Sequence, residues 1–210
     1  MIDCVNAQNA YRYGDALLQM FRRRHDIFVT RRGWRELARP DGLEMDQFDT
    51  EKAIYLLSIR DDGTVDGGLR LVPTTEPHLL ANVFPHFVTG EVPRGPNIFE
   101  MTRYFSIRDH AERRLMRRVR GELLCAMFEY CLGQGVQWIT TMLDTFYVHR
   151  MRDNNWHEIT LGPPTPYAEG EGVAVKIAVT RENLGWTRSV HGVFWPALRT
   201  DTTQTAARAA

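Results

Sequence analysis

Arg24, Arg70, Glu100 and Arg103 occupy positions where the surrounding pattern calls for hydrocarbon. A buried charge without a partner is so costly that such groups either pair or serve a ligand, which makes these four the best markers of a site. A carboxylate accompanied by arginines can act as a general base for an amine attacking an activated acyl group, the guanidiniums holding anionic parts of the substrates. Competing chemistries lack their motifs. The chain holds no GxxxxGK(S/T), no HExxH and no GxSxG, and its seven histidines are scattered without metal-ligand spacing.

The elements that must position these residues follow from periodicity. Leu17, Phe21 and Phe28, with Met20 and Ile27 alongside, have the spacing of an amphipathic helix from Gly14 to about Thr30, and Arg24 lies on the same stripe. It either snorkels, stem packed and head in water, or aims its guanidinium into a pocket beneath the helix. Residues 65–73, VDGGLRLVP, read as a strand carrying Arg70 after the turn Asp61-Asp62-Gly63 and a first strand, Ala53 to Ile59. Gly67 and Gly68 in mid-strand mark a bulge or a close approach to the backbone. Ile98 to Ile107 is a further strand holding Glu100 and Arg103. Strict alternation sends those two to opposite faces, so a common site needs a bulge near Met101 or Thr102; otherwise only one of them is functional.

Length and composition bound the rest. With 210 residues, 43% hydrophobic and 25% charged, the chain has the make-up of an ordinary globular protein with one sizeable core; we expect one domain over residues 1–199 and a frayed tail over 200–210. No apolar run reaches the 18 or more residues of a membrane span and no signal peptide opens the chain, so a cytoplasmic location is expected. Cys4, Cys125 and Cys131 carry no metal-ligand spacing and read as reduced thiols. Net charge is zero, which favours no polyanion. Basic charge is nevertheless local: Arg113, Arg114, Arg117, Arg118 and Arg120 crowd the start of a helix from about Ala111 to Leu132, whose apolar face is Leu115, Val119, Leu123, Met127 and Tyr130. They form either a solvated face or a dock for something acidic, such as phosphates or an acidic carrier protein. A strand at Val136 to Leu143, a short helix at Thr145 to Asp153 and a strand at Gly172 to Thr180 complete an α/β order, with Pro163-Pro164-Thr165-Pro166 as a loop.

Five strings together carry a resemblance. RRRHDIFVTRRGW gives Arg24, Phe28 and Trp34; MDQFD gives Asp46 and Asp49; GGLRL gives Arg70; NVFP gives Phe84; FEMTRYF gives Glu100 and Arg103. In type, order and spacing these resemble the nine hallmark positions of the N-acyl-homoserine-lactone synthases, the autoinducer synthases of bacterial quorum sensing. The likeness continues more loosely to about residue 190. It implies a fold similar to the GCN5-related N-acetyltransferases, with a mixed, V-splayed sheet flanked by helices.

The resemblance implies no tightly bound cofactor and two substrates, S-adenosyl-L-methionine and an acyl thioester of coenzyme A or acyl-carrier protein. The amine attacks the thioester to form an amide, and the methionine carboxylate then displaces methylthioadenosine to close the lactone. Glu100 is the candidate base, with Arg103, Asp46, Asp49 and Arg70 beside it. Arg24, Phe28, Trp34, Phe84 and Arg103 would build the adenosylmethionine cavity, which closes when the N-terminal segment orders over it. A sulfonium favours anionic or aromatic neighbours, which Asp46, Asp49, Phe28 and Trp34 supply. The plain alternative is that the aromatics are core and that Asp46 and Asp49 pair with Arg24 or Arg70 to hold the N-terminal region.

The acyl group should lie between the splayed strands and under residues 136–153, with Trp138, Thr140, Met142, Leu143, Phe146 and Tyr147 as its lining. Relatives that take 3-oxo chains carry a threonine facing the third acyl carbon; Thr140 and Thr141 are candidates, but the strand register puts Leu143 there. The bulky residues and the HDIF, RPDG and DTFY segments resemble the subgroup that uses branched or aryl acyl groups, some from coenzyme A. If the donor is an acidic carrier protein, Arg113, Arg114, Arg117 and Arg118 are its dock. Two rival classes fit less well. A general acetyl-coenzyme A N-acetyltransferase would have closely spaced glycines before the long helix, where this chain reads DHAERRLMRRVRG, and a nucleic-acid module would need interleaved aromatics and net positive charge.

Overall fold

The computed structural model describes residues 1–107, 113–154, 156, 158–168 and 170–199, without the side chains of 113, 114, 116, 149, 150, 152 and 153. In chain order the first half comprises β1 (Ile2–Val5), α1 (Gly14–Arg24), β2 (Ile54–Ile59), β3 (Val65–Pro73), α2 (Leu79–Asn82) and β4 (Ile98–Ser106). The second comprises α3 (Arg113–Gly133), β5 (Trp138–Asp144), α4 (Thr145–Asp153), β6 (Glu158–Thr160), β7 (Thr165–Tyr167), β8 (Gly170–Ala178) and α5 (Arg181–His191). The strands form one mixed sheet of order β1-β2-β3-β4-β5-β8-β6, with β7 also on β8. Every neighbouring pair is antiparallel except β4 with β5.

Both faces of the sheet are covered, which is why β2 reads as a near-continuous apolar run. Ile54 and Leu56 join Leu69, Leu71 and the α3 residues Val119, Leu123 and Met127 in the larger core. Tyr55 and Leu57, on the opposite parity, pack with Ala16, Met20 and Phe28 beneath α1. Helix α5 adds Leu184 to the core; Thr180 caps it by accepting from the Asn183 amide at 3.0 Å, and Gly192 ends it at φ 67°.

Three departures from sequence expectation shape the site. First, α1 ends at Arg24 and the chain continues as a π-helical segment, His25–Arg31. Both windings return a residue to the same side after about four positions, so Arg24 and Phe28 still point inward together. Second, the bulge that unites Glu100 with Arg103 lies at Arg103 itself rather than at Met101 or Thr102. Gly68 pairs with Phe105 and Arg70 with Thr102, which leaves one extra residue on β4, and Arg103 adopts φ 52°, the only positive φ of a non-glycine among the described residues. Third, β4 and β5 share only the pairs Ile98–Trp138, Phe99–Ile139 and Glu100–Thr140. Beyond them the two strands run on without pairing to each other, which makes the wedge of a splayed sheet.

The paired glycines of β3 show both features expected of them. An extra residue, Asp66, bulges where Ser58 faces Gly67 and Ile59 faces Val65. A Cβ on Gly67 would lie 2.9 Å from the Phe105 carbonyl and 3.0 Å from Val119, so the absent side chain lets α3 rest on the strand. Cys125 and Cys131 are buried in the α3 core as free thiols.

Candidate active site

Beneath α1 and the π-helical segment, three arginines meet three carboxylates. Arg24 donates to both oxygens of Asp49 at 2.8 Å and through Nε to Glu44 at 2.5 Å. Arg70 donates to Asp46 at 2.5 and 2.9 Å, approaches Asp49 at 2.8 Å, and through Nε reaches Thr102 at 3.0 Å. Arg103 bonds Glu44 at 3.0–3.1 Å and Asp46 at 2.7 Å. Arg24, Arg70 and Glu44 are at most 1% exposed. With formal charges of three plus and three minus, the cluster is neutral, which is what lets so many ions leave water. The acids come from one loop that folds on itself: the Phe48 amide donates to Asp46, the Asp46 amide to Asp49, and the Glu44 amide to the Phe21 carbonyl. Burial pushes the Asp49 carboxyl up, but Arg24 and Arg70 override it and hold the group well below the usual carboxylate range.

Glu44, as buried as any residue of the cluster, breaks no sequence pattern. It bridges α1 to β4 by joining Arg24 and Arg103. The one sequence signal for it is an imbalance: three inward arginines face only two acids, Asp46 and Asp49, among the expected site residues of that loop. Asp49 and Asp46 do pair with Arg24 and Arg70, the contact that the plain alternative expects.

Glu100 stands apart from this network. Its carboxylate takes amide donors from Leu79 at 2.8 Å and Leu80 at 2.6 Å, at the start of α2. That turn is held by His78, whose amide donates to Asn82 and whose Nδ1 lies 2.9 Å from the Glu76 carbonyl. Burial raises the Glu100 carboxyl to about 7; the two amides and Arg70 pull the other way without cancelling it. A carboxylate that is half-protonated near neutral pH is suited to taking a proton from an ammonium.

Phe28 and Trp34 stack with ring centroids 4.9 Å apart, and the Arg103 guanidinium sits 5.6 Å from each ring. The indole Nε1 of Trp34 is buried without a hydrogen-bond partner among the described residues. Phe84 does not join them. It packs in a separate apolar cluster with Leu80, Phe87, Ala174, Met142 and Tyr167, whereas Phe28 and Trp34 belong to the cluster beneath α1.

The acyl-lining residues divide by strand parity. Thr140 and Met142 share a side of β5, Thr140 opposite Glu100 and Met142 in the Phe84 cluster. Leu143, of the opposite parity, packs against the α3 core. Trp138 sits where β4 and β5 are still paired, with Lys176 at 4.2 Å from its ring. Phe146, 64% exposed, stands on α4 beside Tyr147 rather than in an enclosed pocket.

A model of the autoinducer synthase family matches residues 8–185. The chain belongs to that family. The synthase is 37% identical over 185 residues to the isovaleryl-homoserine lactone synthase of Bradyrhizobium diazoefficiens, covering 88% of this chain and 82% of that one. It superposes on the coenzyme A-dependent acyl-homoserine lactone synthase BjaI, solved with S-adenosylmethionine and isopentyl-CoA, with TM-score 0.87 and 35% identity over 96% of this chain and 93% of the other. MesI, another coenzyme A-dependent member, gives TM-score 0.87 and 37% identity over 96% and 100% of the two chains. A putative N-acetyltransferase from Lactobacillus plantarum, at 16% identity and TM-score 0.55, shares the fold. The synthase is thus an acyltransferase on a GCN5-like frame, and the general N-acetyltransferase alternative is not favoured.

Of the expected carrier-docking residues, the side chains of Arg113 and Arg114 lie outside those described. Arg117 is exposed on α3, while Arg118 is tied to Glu122 at 3.0 Å and lies over Trp195 at 5.4 Å. Among the described residues no helix is long and apolar enough to cross a membrane.

Proposed function

We propose that Glu100 removes a proton from the amino group of S-adenosyl-L-methionine, which then attacks the carbonyl carbon of an acyl-coenzyme A thioester. The C–S bond breaks, the amide forms, and coenzyme A leaves as the free thiol. The methionine carboxylate next attacks the carbon beside the sulfonium, closing the lactone and releasing methylthioadenosine. The observation that carries this reading is Glu100's carboxyl near 7, buried at the mouth of the β4–β5 wedge beside the charge cluster. Asp46, at 9% the most exposed acid of the cluster, faces the sulfonium, with Asp49 behind it. Arg24, Arg70 and Arg103 fix those acids, and Arg103 with Phe28, Trp34 and the free indole donor frames the adenosylmethionine side.

In this reading residues 1–199 act as one synthase domain in the cytoplasm, with no nucleic-acid partner. The acyl chain lies against the cluster of Leu80, Phe84, Phe87, Met142 and Ala174, where aromatic side chains crowd the β5 residues. That suits a small branched acyl group, as do the isovaleryl product named for one relative and the isopentyl-CoA seated in another. Coenzyme A is then the donor rather than acyl-carrier protein.

Incubating the purified synthase with S-adenosylmethionine and isovaleryl-CoA tests this. Methylthioadenosine and free coenzyme A should appear in equal amounts. Thiol release without methylthioadenosine would reduce the protein to a plain acyltransferase.

A further inference from the structure

Arg32, just past the π-helical segment, reaches across the molecule to the far arm of the wedge. Its Nη2 lies 2.6 Å from Oδ2 of Asp144, the last residue of β5, and the other oxygen of that carboxylate accepts from the Tyr167 hydroxyl on β7. The Arg32 guanidinium also lies 4.9 Å from the Trp34 ring, whose other guanidinium neighbour is Arg103 on β4. Tyr167 packs edge-on against Phe87 at 6.2 Å and belongs to the apolar cluster beside Glu100. One carboxylate thus touches a wall of each region: Trp34's region through Arg32, and the Phe84–Phe87–Met142 region through Tyr167.

We infer that Arg32 and Asp144 are positioning residues that couple the two substrate pockets, so that filling one raises affinity for the other. This inference rests on the two-pocket reading given under the proposed function. The physical reason is mechanical. Gly172, paired with Asp144, leaves room for the Phe87 ring, which a Cβ there would meet at 3.0 Å, so Asp144, Tyr167 and Phe87 form a close-fitted unit. A ligand that settles Trp34 fixes Arg32 and through it that unit; a ligand that fills the apolar region fixes Tyr167 and through it Arg32. Whichever ligand binds first bears the ordering cost of the shared carboxylate, and the second binds to a site already ordered. Thermodynamic linkage requires the effect to be the same in both directions.

The test is calorimetric, using S-adenosylmethionine and the inert thioether 3-methylbutyl coenzyme A, which cannot be turned over. Each ligand should bind the wild type about fivefold more tightly when the other is present, the low end for coupled sites because the Arg32–Asp144 pair is a quarter to a third exposed. In Asp144→Asn and in Arg32→Ala that factor should fall to about one while each ligand alone still binds, a result a merely structural role would not give. Thermal melts confirm that both variants are folded. Independent binding in the wild type, or an undiminished factor in either variant, overturns the inference. Failure of S-adenosylmethionine to bind at all would instead overturn the functional reading beneath it.

Discussion

The face of the sheet beneath α1 buries Arg24, Glu44, Asp49, Arg70 and Arg103 beside an apolar cluster that includes Met20, Phe28 and Leu57, whereas the face beneath α3 is filled by Leu56, Leu71, Val119, Leu123 and Met127. The two regions are comparably buried, and neighbouring residues of one strand, Arg70 and Leu71, serve one each. Under α3 the requirement is volume, and hydrocarbons of similar size are interchangeable at modest cost. Under α1 the requirement is charge balance and geometry, because each ion is tolerable only while its partners remain. An apolar filling of the α1 face would hold the fold just as well, so what distinguishes that face is chemistry rather than stability.

The sharpest way to separate the two is Glu100→Gln. It keeps the shape and removes the base, so turnover should fall by about 10²–10⁴ in a protein that circular dichroism shows to be folded at neutral pH. Near-normal turnover at neutral pH would mean that another group takes the proton. Glu44→Ala comes next. It strands Arg24 and Arg103 and should cost about 3–5 kcal/mol of unfolding free energy, together with affinity for methylthioadenosine. Leu123→Ala should cost about 2–5 kcal/mol by denaturant titration but leave the affinity of the folded fraction intact. Equal loss of affinity in both variants would erase the distinction between the two faces.

A subtler difference is in the response to pH. The Glu100 carboxyl is raised from 4.5 to about 7, so the folded state binds that proton more tightly than the unfolded chain, and this group's contribution to stability declines as pH rises between those values. Glu100→Gln lacks that decline. Its stability relative to wild type should therefore improve by about 3 kcal/mol between pH 4.5 and 7 and then level off, as urea titrations across pH would show. Wild-type activity should rise through the same window, since only the ionised form accepts a proton. Asp49 acts with the opposite sign: held below its ordinary 3.8, it supports the fold above that pH and withdraws support as pH falls further. The smallest effect is expected on α3. Arg117→Glu should change the rate with isovaleryl-CoA by no more than about twofold, because coenzyme A presents few charges to an exposed helix face. A salt-sensitive tenfold loss would restore the case for an acidic carrier protein.

The sequence made the inward charges legible because each violates an apolar period, and that violation survives any error in element boundaries. It made the need for a bulge legible too, since Glu100 and Arg103 are three apart on a strand. The bulge's position was not, because it depends on where Gly68 and Arg70 of the neighbouring strand fall. Glu44 was hidden because a loop has no periodicity to violate. The π-helical segment was invisible because Arg24 and Phe28 stay on one side under either winding. The division of Phe84 from Phe28 and Trp34, like the link from Arg32 to Asp144, is a matter of tertiary placement that local spacing does not encode. Leu143 is a different case: alternation from Thr140 already sends it to the α3 side.

Arg103 gives the site an engineering limit. Its backbone sits at φ 52°, a conformation that costs a side-chain-bearing residue about 1–3 kcal/mol and glycine almost nothing. Consensus redesign or directed evolution for thermostability would be drawn to glycine at such a position. Here that substitution would relax the strand and at the same time remove a guanidinium shared by Glu44 and Asp46 and seated beside Phe28 and Trp34. No single residue type satisfies both the backbone and the side chain at this bulge, so campaigns that screen for heat resistance alone should repeatedly sacrifice this residue and the activity with it.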